Sequence, residues 1–371
     1  MAVRCNPLHT GQNDRTKRLY SFGGRGMKIS FIVPAHNAAG WIVRSVRSIM
    51  DLFQNTVPFE ILIVENGSVD NTQQIASELA EKNEEVRLLH SETGLPQARN
   101  VGMRHADGEW LCFVDADDVC EPGMVKVIPF LEEYAPDLLV SGFRKGKRTI
   151  EYSSYKACNR LVSGGELEPA KAWMVSAPTF RMAAWAKFYR RDFLLPNRLF
   201  FDESLRRSED SEFLIRVLNR CEKMLITDLV VYRYSQAPSS MVRSVTQGIA
   251  PLYLEAVRKA EQAADGGSPG IRAAYPDFVY SMIMIVAVHD FYDSAVSIPW
   301  SVRNRNMALF LQEGPVKRAV ARMAFKNLLL PRNWPVFFFK CRLFSLGGAV
   351  CYLRSVYNRH LWRAEEAEQQ A

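Results

Sequence analysis

The alternation of strand-like and helix-like segments between residues 29 and 134 constrains the fold more than any other feature of the chain. Short, continuous apolar runs occur at residues 29–33, 59–64, 86–89 and 110–114, and such runs are typical of strands buried on both faces. Segments with the signals of helices follow them, at residues 41–53, 72–82, 96–105 and 122–134, with Asp70 as the candidate N-cap of the second. This alternation builds a mostly parallel sheet with helices on its faces. The sequence therefore predicts an α/β fold with a Rossmann-like sheet.

The rest of the chain divides into a mixed block and a helical block. Residues 138–143 and 225–234 have the composition of strands, and residues 210–221 have helical spacing, with Ser208 as the candidate N-cap. From about residue 250 the pattern is mainly helical, with a glycine-rich turn at residues 266–270. We therefore expect one α/β domain over residues 27–245, with halves 27–135 and 136–245, and a helical region over residues 246–371.

The N-terminal segment, the apolar runs and the cysteines indicate in which cellular compartment the protein is located. Residues 1–26 are polar and basic and lack the apolar centre of a secretory signal, so we expect a disordered extension, with Met27 as an alternative start. No run reaches the roughly 20 apolar residues that a membrane-spanning helix needs, and the nearest, residues 278–288, is expected to be a buried helix. The seven cysteines form no CxxC pair, which indicates reduced thiols in the cytoplasm rather than a zinc site or disulfides.

Positive charge is concentrated near the C-terminus. The formal net charge is +7, and residues 315–363 contain ten Lys or Arg and no Asp or Glu. This asymmetry predicts an anionic partner, either a membrane surface or a nucleic acid. Large apolar side chains interleave with the basic ones, which favours a bilayer interface over nucleic acid. The alternative is a helical subdomain that packs its apolar face on the core and leaves a basic face in solvent.

The loops that follow the four predicted strands are polar or rich in glycine. In a parallel sheet a ligand binds outside the carboxyl ends of the strands. The loops at residues 34–37, 65–68, 94–100 and 115–118 should therefore meet at one edge of the sheet. We interpret this edge as the ligand-binding site.

Three carboxylates follow the fourth strand, at Asp115, Asp117 and Asp118. Residues two apart in an extended segment point the same way, so Asp115 and Asp117 could converge. Like charges that close repel each other unless a cation lies between them, and oxygen ligands select Mg²⁺ or Mn²⁺. The alternative for such a motif is a solvated acidic turn, but its place at the edge of a parallel sheet favours a metal site.

Other candidate residues have a structural and a functional interpretation. Glu65, Asn66 and Ser68 form either an ordinary turn or contacts to a nucleotide. Arg99 could neutralise a phosphate or pair with a carboxylate at a strand end. Glu209 and Asp210 could interact with a helix dipole, or one of them could take a proton from an attacking hydroxyl group.

Together these motifs resemble the family 2 glycosyltransferases of the GT-A fold over about residues 28–245. The segments that carry the resemblance are VPAHN at 33–37, VENGSVDNT at 64–72, GLPQARNVG at 94–102, GEWLCFVDADD at 108–118, WAKFYRRDFL at 185–194 and SEDSEF at 208–213. Residues 232–234 with 239–241 are similar to the closing segment of many bacterial members. One departure is Glu65–Asn66, where many members carry two Asp, and it leaves UDP and dTDP both open.

The resemblance implies an inverting transfer from a nucleoside-diphosphate sugar to a glycan or lipid-linked acceptor, in cytoplasmic assembly of envelope polysaccharide or glycolipid. It implies that Asp117 binds Mn²⁺ or Mg²⁺, with Asp115 on the metal or the ribose, and that Asp210, beside Glu209, is the general base. The residues expected to line the nucleotide pocket are Pro34, Ala35, Asn37, Glu65, Asn66, Ser68, Arg99, Asp115 and Ala116.

Two other functions fit the same fold. A nucleotidyltransferase would need a basic loop for a triphosphate near the first strand, and residues 33–40 contain no Lys or Arg. An inactive, membrane-bound scaffold of the same fold would not need both Asp117 and Asp210, which are present.

Overall fold

The computed structural model describes residues 27–235, 248–323 and 333–370, with the backbone alone for residues 363–370. Its first half alternates strands and helices as the apolar runs predict. The elements are β1 Ile29–Ala35, α1 Ile42–Phe53, β2 Phe59–Glu65, α2 Thr72–Lys82, β3 Val86–His90, α3 Leu95–His105 and β4 Trp110–Phe113. Strands β1 and β4 are buried along their whole length, which explains why they are continuous apolar runs.

The second half is more irregular, because short strands and helices interrupt it. The strands are β5 Val119–Cys120, β6 Leu138–Lys145, β7 Arg148–Ile150, β8 Arg160–Ser163, β9 Lys187–Arg190 and β10 Lys223–Tyr234. The helices are α4 Ile128–Tyr134, α5 Leu167–Val175, α6 Pro178–Arg181, α7 Arg191–Leu194 and α8 Glu209–Arg220. The helix expected over residues 122–134 is in fact a 3-10 turn, Pro122–Val127, followed by α4, whose first turn contains Pro129.

A single sheet joins the two halves in the order β3-β2-β1-β4-β9-β6-β10-β5, with β7 paired to β6 and β8 paired to β10. Strands β3, β2, β1 and β4 are parallel neighbours. Strand β9 lies between β4 and β6 and is antiparallel to both, so the sheet is mixed beyond β4. The expectation of an α/β fold with a central sheet flanked by helices is confirmed.

Two predicted helix caps differ in detail. Asn71, not Asp70, is the N-cap residue of α2, and the Asp70 carboxylate accepts hydrogen bonds from the Thr72 N–H and hydroxyl groups instead. Ser208 is the N-cap residue of α8, but its hydroxyl makes no capping bond and contacts the Met282 sulfur at 3.5 Å.

The C-terminal region is helical, as expected. Its helices are α9 Ala250–Asp265, α10 Pro269–Val286, α11 Trp300–Gln312, α12 Gly314–Arg322, α13 Trp334–Lys340 and α14 Phe344–Gln370. Helix α9 packs against α8, and α10 packs against α5. The approach of α10 is close: the Gly270 N–H donates to the Glu168 carboxylate at 2.6 Å, and a Cβ atom at Gly270 would lie 2.2 Å from the Glu168 carbonyl oxygen.

The apolar helix of this region is longer than the sequence pattern indicated. By length and hydropathy, residues Pro269–Phe291 pass as a membrane span, the only such helix in the described part of the chain. Two-thirds of the apolar stretch is buried within the protein, however, as expected of a core helix. The six cysteines in the described ranges form no disulfide with one another. The expected extension at residues 1–26 and the motif at residues 239–241 lie outside the described residues.

Candidate active site

The loops after β1 and β2 are joined by hydrogen bonds at the carboxyl edge of the sheet. The Asn37 N–H donates to the Ser68 hydroxyl at 3.1 Å, and the Asn37 side-chain oxygen accepts from the Val69 N–H at 2.9 Å. Asn37 has a φ of +50°, a conformation that asparagine tolerates better than most residues. Gly67 has a φ of +86°, and a Cβ atom there would lie 2.4 Å from the Thr93 hydroxyl, so this turn requires glycine.

Glu65 and Asn66 lie at the end of β2, and both are buried. Burial opposes ionisation of Glu65, but hydrogen bonds from Ser68, including one at 2.5 Å from its N–H, outweigh it and lower the pKa of Glu65. The Asn66 side-chain NH₂ donates to the Gly94 carbonyl at 3.2 Å, whereas its buried side-chain oxygen has no partner among the residues that the structure describes. An unsatisfied buried acceptor is costly, which marks this oxygen as available to a ligand.

The acidic turn after β4 separates its three carboxylates. Asp118 is fully buried and accepts hydrogen bonds from the Tyr232 hydroxyl and the Ser235 N–H, both at 2.6 Å. The Tyr232 hydroxyl also accepts from the Asp115 N–H at 3.0 Å. Burial, with the negative charges of Asp115 and Asp117, raises the pKa of Asp118. Asp118 therefore fixes the turn internally and leaves Asp115 and Asp117 as its ligand-facing candidates.

Asp117 is only partly buried, and its position is fixed through its backbone. The Arg44 guanidinium donates to the Asp117 carbonyl oxygen at 2.8 Å and to the Ser235 hydroxyl at 3.0 Å. Burial and the charge of Asp115 raise the pKa of Asp117 to about 6. Within the described ranges, no three His, Cys, Asp or Glu side chains gather in a way that could hold a metal ion by themselves. A cation here would need further ligands from a bound molecule.

Arg99 connects the acidic turn to the start of α8. Its side chain is 1% exposed and forms ion pairs with Asp115 at 3.2 Å, with Glu209 at 3.3 Å and with Asp210. The three carboxylates raise the pKa of Arg99 against the effect of its burial, so the guanidinium stays charged. Of the two interpretations of Arg99 from the sequence, the geometry favours pairing with carboxylates.

The acids at the start of α8 have different surroundings. The second oxygen of Asp210 accepts a hydrogen bond from the Ala184 N–H at 3.0 Å. Burial and the charge of Asp210 raise the pKa of Glu209 to about 7, despite the ion pair with Arg99. Glu209 therefore titrates near neutral pH, as an effective general base does, whereas Asp210 is distinguished by the hydrogen bonds that hold both of its oxygens.

Aromatic side chains connect this region to β10. The rings of Trp185 and Tyr232 stack with centroids 4.8 Å apart and an interplanar angle of 2°, and the Tyr234 ring stacks on Trp185 at 5.6 Å. Through its hydroxyl, Tyr232 also contacts the acidic turn. The loop before β9 thus contacts the helix that carries Asp210 directly, and is connected to the turn that carries Asp117 through Tyr232.

The structure brings the predicted residues to one edge of the sheet. Pro34, Ala35 and Ala116 are buried beside the loops, and the Ala35 carbonyl accepts from the Asn66 N–H at 3.1 Å. Sequence reasoning assigned no role to Arg44, to the Tyr232 hydroxyl or to Lys187. A lone lysine within the apolar run AWAKFY was the signal that could have pointed to Lys187.

Comparison with known proteins agrees with this geometry. Residues 30–195 match the profile of glycosyl transferase family 2. The uncharacterized glycosyltransferase EpsJ of Bacillus subtilis is 30% identical over 219 residues, which cover 57% of this chain and 62% of EpsJ. TarS of Staphylococcus aureus, a poly(ribitol-phosphate) β-N-acetylglucosaminyltransferase, is 27% identical over 213 residues, which cover 56% of this chain and 35% of TarS. The chain therefore spans less than two-thirds of the length of these relatives.

Solved structures show the same fold over more of the chain. The structure of S. aureus TarS residues 1–349 with UDP-GlcNAc superposes with a TM-score of 0.64 at 20% identity, over 90% of this chain and 92% of that one. The mannosyltransferase PcManGT from Pyrobaculum calidifontis, in complex with GDP-Man and Mn²⁺, gives a TM-score of 0.51 at 16% identity, over 89% of this chain and 88% of that one. The fold and the sheet edge thus define an α/β protein of the GT-A class. Residues 30–195, somewhat less than half of the chain, are similar to glycosyl transferase family 2.

Proposed function

We propose that the protein is an inverting glycosyltransferase that moves a sugar from a nucleoside-diphosphate sugar to an acceptor hydroxyl group. One observation carries the proposal: buried Arg99 pairs with both Asp115, in the acidic turn, and Asp210, at the start of α8. A donor-side and an acceptor-side carboxylate are thereby held at one edge of the sheet. The similarity to glycosyl transferase family 2 and the TarS complex with UDP-GlcNAc support this class of donor.

The nucleotide would lie against the loops after β1 and β2. The unpartnered side-chain oxygen of Asn66 can accept a hydrogen bond from the ring N–H of uracil or thymine. Both bases present that donor, so UDP and dTDP sugars remain the two candidate donors. Asn37, Glu65 and Ser68 hold the loop through their mutual hydrogen bonds.

Asp117, with Asp115 beside it, would hold Mn²⁺ or Mg²⁺. The residues present fit such an ion, because a cation would relieve the repulsion that raises the pKa of Asp117, and the diphosphate would complete its ligands. A bound divalent cation stabilises the negative charge that develops on a leaving diphosphate. The protein's own contribution is to present the Asp117 carboxylate on a turn fixed by Arg44 and Tyr232.

Asp210 would accept the proton of the acceptor hydroxyl group. Arg99 and the Ala184 N–H orient its two oxygens. Attack by the deprotonated oxygen on the face opposite the leaving group inverts the anomeric carbon without a covalent intermediate. Glu209, with its pKa raised to about 7, is also a competent base near neutral pH, so the choice of Asp210 rests on the orientation of its two oxygens.

The acceptor would be a glycan or lipid-linked carrier of the envelope, met at the cytoplasmic face of the membrane. TarS is named for a polymeric acceptor, which supports this class. Helix α14 supports attachment to the membrane. Its side chains Leu346, Leu353 and Tyr357 are 53%, 67% and 61% exposed, lie along one face at helical spacing, and are accompanied by exposed Arg354.

Part of the basic segment packs on the protein instead. Arg318 pairs with Glu261 at 2.6 Å, Arg359 pairs with buried Asp293 at 2.7 Å, and the Lys340 ammonium donates to the Val320 carbonyl at 3.0 Å. Packing and attachment are compatible, because these contacts leave the exposed face of α14 open to a lipid surface. Lys326 and Arg332 lie outside the described ranges.

A thermal-shift panel of nucleotide sugars with Mn²⁺ tests the donor class. A true donor at a hundredfold excess over its Kd should add about 2.7 kcal/mol to the free energy of unfolding. UDP-GlcNAc, dTDP-glucose and GDP-mannose are the natural panel, with UTP and dTTP as probes for a nucleotidyltransferase. Stabilisation by a triphosphate alone would favour the nucleotidyltransferase, and stabilisation by none would favour the inactive scaffold.

A further inference from the structure

Lys187, the first residue of β9, is 2% exposed and lies among apolar neighbours. Its ammonium donates hydrogen bonds to the Ala183 carbonyl at 2.7 Å and to the Trp185 carbonyl at 3.5 Å. It forms no ion pair with any Asp or Glu in the described ranges. A buried ammonium group is costly unless it is hydrogen-bonded, so these two carbonyl contacts are the direct compensation for its position.

The segment that Lys187 contacts, residues 183–186, is fixed by all four of its carbonyl groups. Lys187 binds the first and third, the buried Tyr189 hydroxyl donates to the Ala184 carbonyl at 3.0 Å, and the Ser141 N–H donates to the Ala186 carbonyl at 3.0 Å. Ala186 has a φ of +55°, a left-handed conformation that is unfavourable for a residue with a Cβ atom. These contacts hold the segment in a conformation it would not adopt alone.

The same segment faces the candidate active site with its other groups. The Ala184 N–H donates to the Asp210 carboxylate at 3.0 Å. The Trp185 ring stacks on Tyr232, whose hydroxyl contacts the Asp115 N–H and the Asp118 carboxylate. A shift of residues 183–186 would therefore move groups that orient both the proposed base and the acidic turn.

We propose that Lys187 is a positioning residue, which holds residues 183–186 so that the Ala184 N–H orients Asp210 and the Trp185 ring supports the acidic turn. The kinetic part of this inference rests on the proposed function, whereas the structural part does not. Burial lowers the pKa of Lys187 to about 7 against the opposing charge of Asp210, and both the ammonium and the neutral amine have the N–H donors that these two hydrogen bonds need.

Lys187→Met tests the proposal, because methionine keeps the length and apolar character of the side chain and removes its donors. Lys171→Met is the matched control, since Lys171 is also buried, at 5% exposed, but lies in α5 beside Glu168. The first measurement is amide hydrogen exchange of the full-length protein without ligand. Lys187→Met should exchange several-fold faster than wild type at residues 183–186 and at the start of α8, and Lys171→Met should not.

The second measurement separates binding from turnover. In Lys187→Met, the affinity for UDP with Mn²⁺ should fall much less than kcat, because Trp185 reaches the acidic turn only through Tyr232, whereas the Ala184 N–H bonds Asp210 directly. The kcat for release of nucleoside diphosphate from the best donor of the panel should fall about 10–100-fold, the scale of a small misplacement of reacting groups. If Lys187→Met does not fold, Tyr189→Phe removes a neighbouring anchor of the same segment and should show the same pattern.

The outcomes distinguish this inference from the proposed function. Unchanged exchange at residues 183–186, or unchanged kcat with increased exchange, would overturn the role of Lys187. Absence of nucleotide binding and turnover in the wild type would overturn the proposed function, and the exchange experiment would still decide whether Lys187 holds the segment.

Discussion

Arg99 and Asp210 form an ion pair across 111 residues of sequence, between α3 and the start of α8. Because the Arg99 side chain is 1% exposed, water does not compete for this contact. The same guanidinium reaches Asp115 at 3.2 Å. The acidic turn and the proposed base are therefore oriented by one fully buried cation, and removal of any member leaves the others unbalanced.

Asp210→Asn should reduce turnover by about 10²-fold or more while donor binding is retained, the usual scale for loss of a general base. Steady-state kinetics at saturating donor and acceptor, with calorimetry for UDP, make the measurement. Asp192→Asn is the control, because Asp192 is 84% exposed on α7. Wild-type turnover in Asp210→Asn would remove Asp210 from the mechanism.

Asp117→Asn should weaken nucleotide binding only when Mn²⁺ or Mg²⁺ is present, since an amide oxygen binds these cations less strongly than a carboxylate. Calorimetric titration of UDP with and without Mn²⁺ would show the difference, with thermal unfolding as the check on folding. If Mn²⁺ has no effect on the affinity of the wild-type protein, Asp117 holds no metal for the nucleotide.

Tyr232→Phe should destabilise the protein by about 1–3 kcal/mol, because it removes the hydrogen bond to one oxygen of the buried Asp118 carboxylate and leaves only the bond from the Ser235 N–H to the other. It should also weaken nucleotide binding through disorder of the acidic turn. Tyr275→Phe is matched to it: that hydroxyl is also buried and donates to the Val257 carbonyl at 2.9 Å in the helical region. An equal loss of UDP affinity in both variants would count against a specific effect on the turn.

The raised pKa of Glu209 predicts a pH-dependent difference in stability. Its pKa in the folded protein, about 7, exceeds its ordinary value of 4.5. The contribution of Glu209 to the free energy of unfolding is therefore fully present below pH 4.5 and is lost as the pH rises through 7. Glu209→Gln should lack this loss, and its free energy of unfolding relative to wild type should rise by up to about 3 kcal/mol between pH 5 and pH 8. Urea denaturation at both pH values measures the change. Glu255→Gln, at a side chain that is 45% exposed on α9, should parallel wild type, and parallel curves for Glu209→Gln would refute the prediction.

The exposed face of α14 predicts salt-sensitive binding to anionic liposomes, with about 1 kcal/mol from each basic residue near the surface. Deletion of the whole basic segment, residues 315–363, is a poor test of membrane binding, because Val336, Phe339 and Cys351 within it are buried in the core. Leu353→Asp should instead abolish co-sedimentation with phosphatidylglycerol vesicles at low salt. Val69→Asp changes a residue that is 91% exposed on the sheet loops and should co-sediment like wild type. Wild-type protein that stays in the supernatant would exclude the membrane as partner.

The parts of the fold that sequence predicted well are those set by local pattern. Strand β2 and helix α2 were found almost to the residue, because a continuous apolar run and a helical spacing each determine their own element. Strand β9 was missed, because four residues give no periodicity and its place depends on pairing with β4 and β6. Local signals do not encode such distant pairing.

The candidate site likewise has residues that the local sequence predicts and residues whose role depends on distant contacts. Asp115 and Asp117 stood out because they follow a buried strand directly. The separation of Asp118 from them could not be foreseen, because it depends on the Tyr232 hydroxyl, 114 residues away. The sequence likewise left open whether Arg99 contacts a phosphate or a carboxylate. The answer depends on the position of α8 beside α3, which brings Glu209 and Asp210 to Arg99.

Strand β9 has a mechanical consequence for the whole protein. Because it is hydrogen-bonded to β4 on one side and to β6 on the other, the two halves of the domain share one uninterrupted backbone ladder. A hinge between the halves would have to break that ladder. Any closing motion that brings an acceptor to a bound donor must therefore come from the loops at the carboxyl edge of the sheet, over a rigid base.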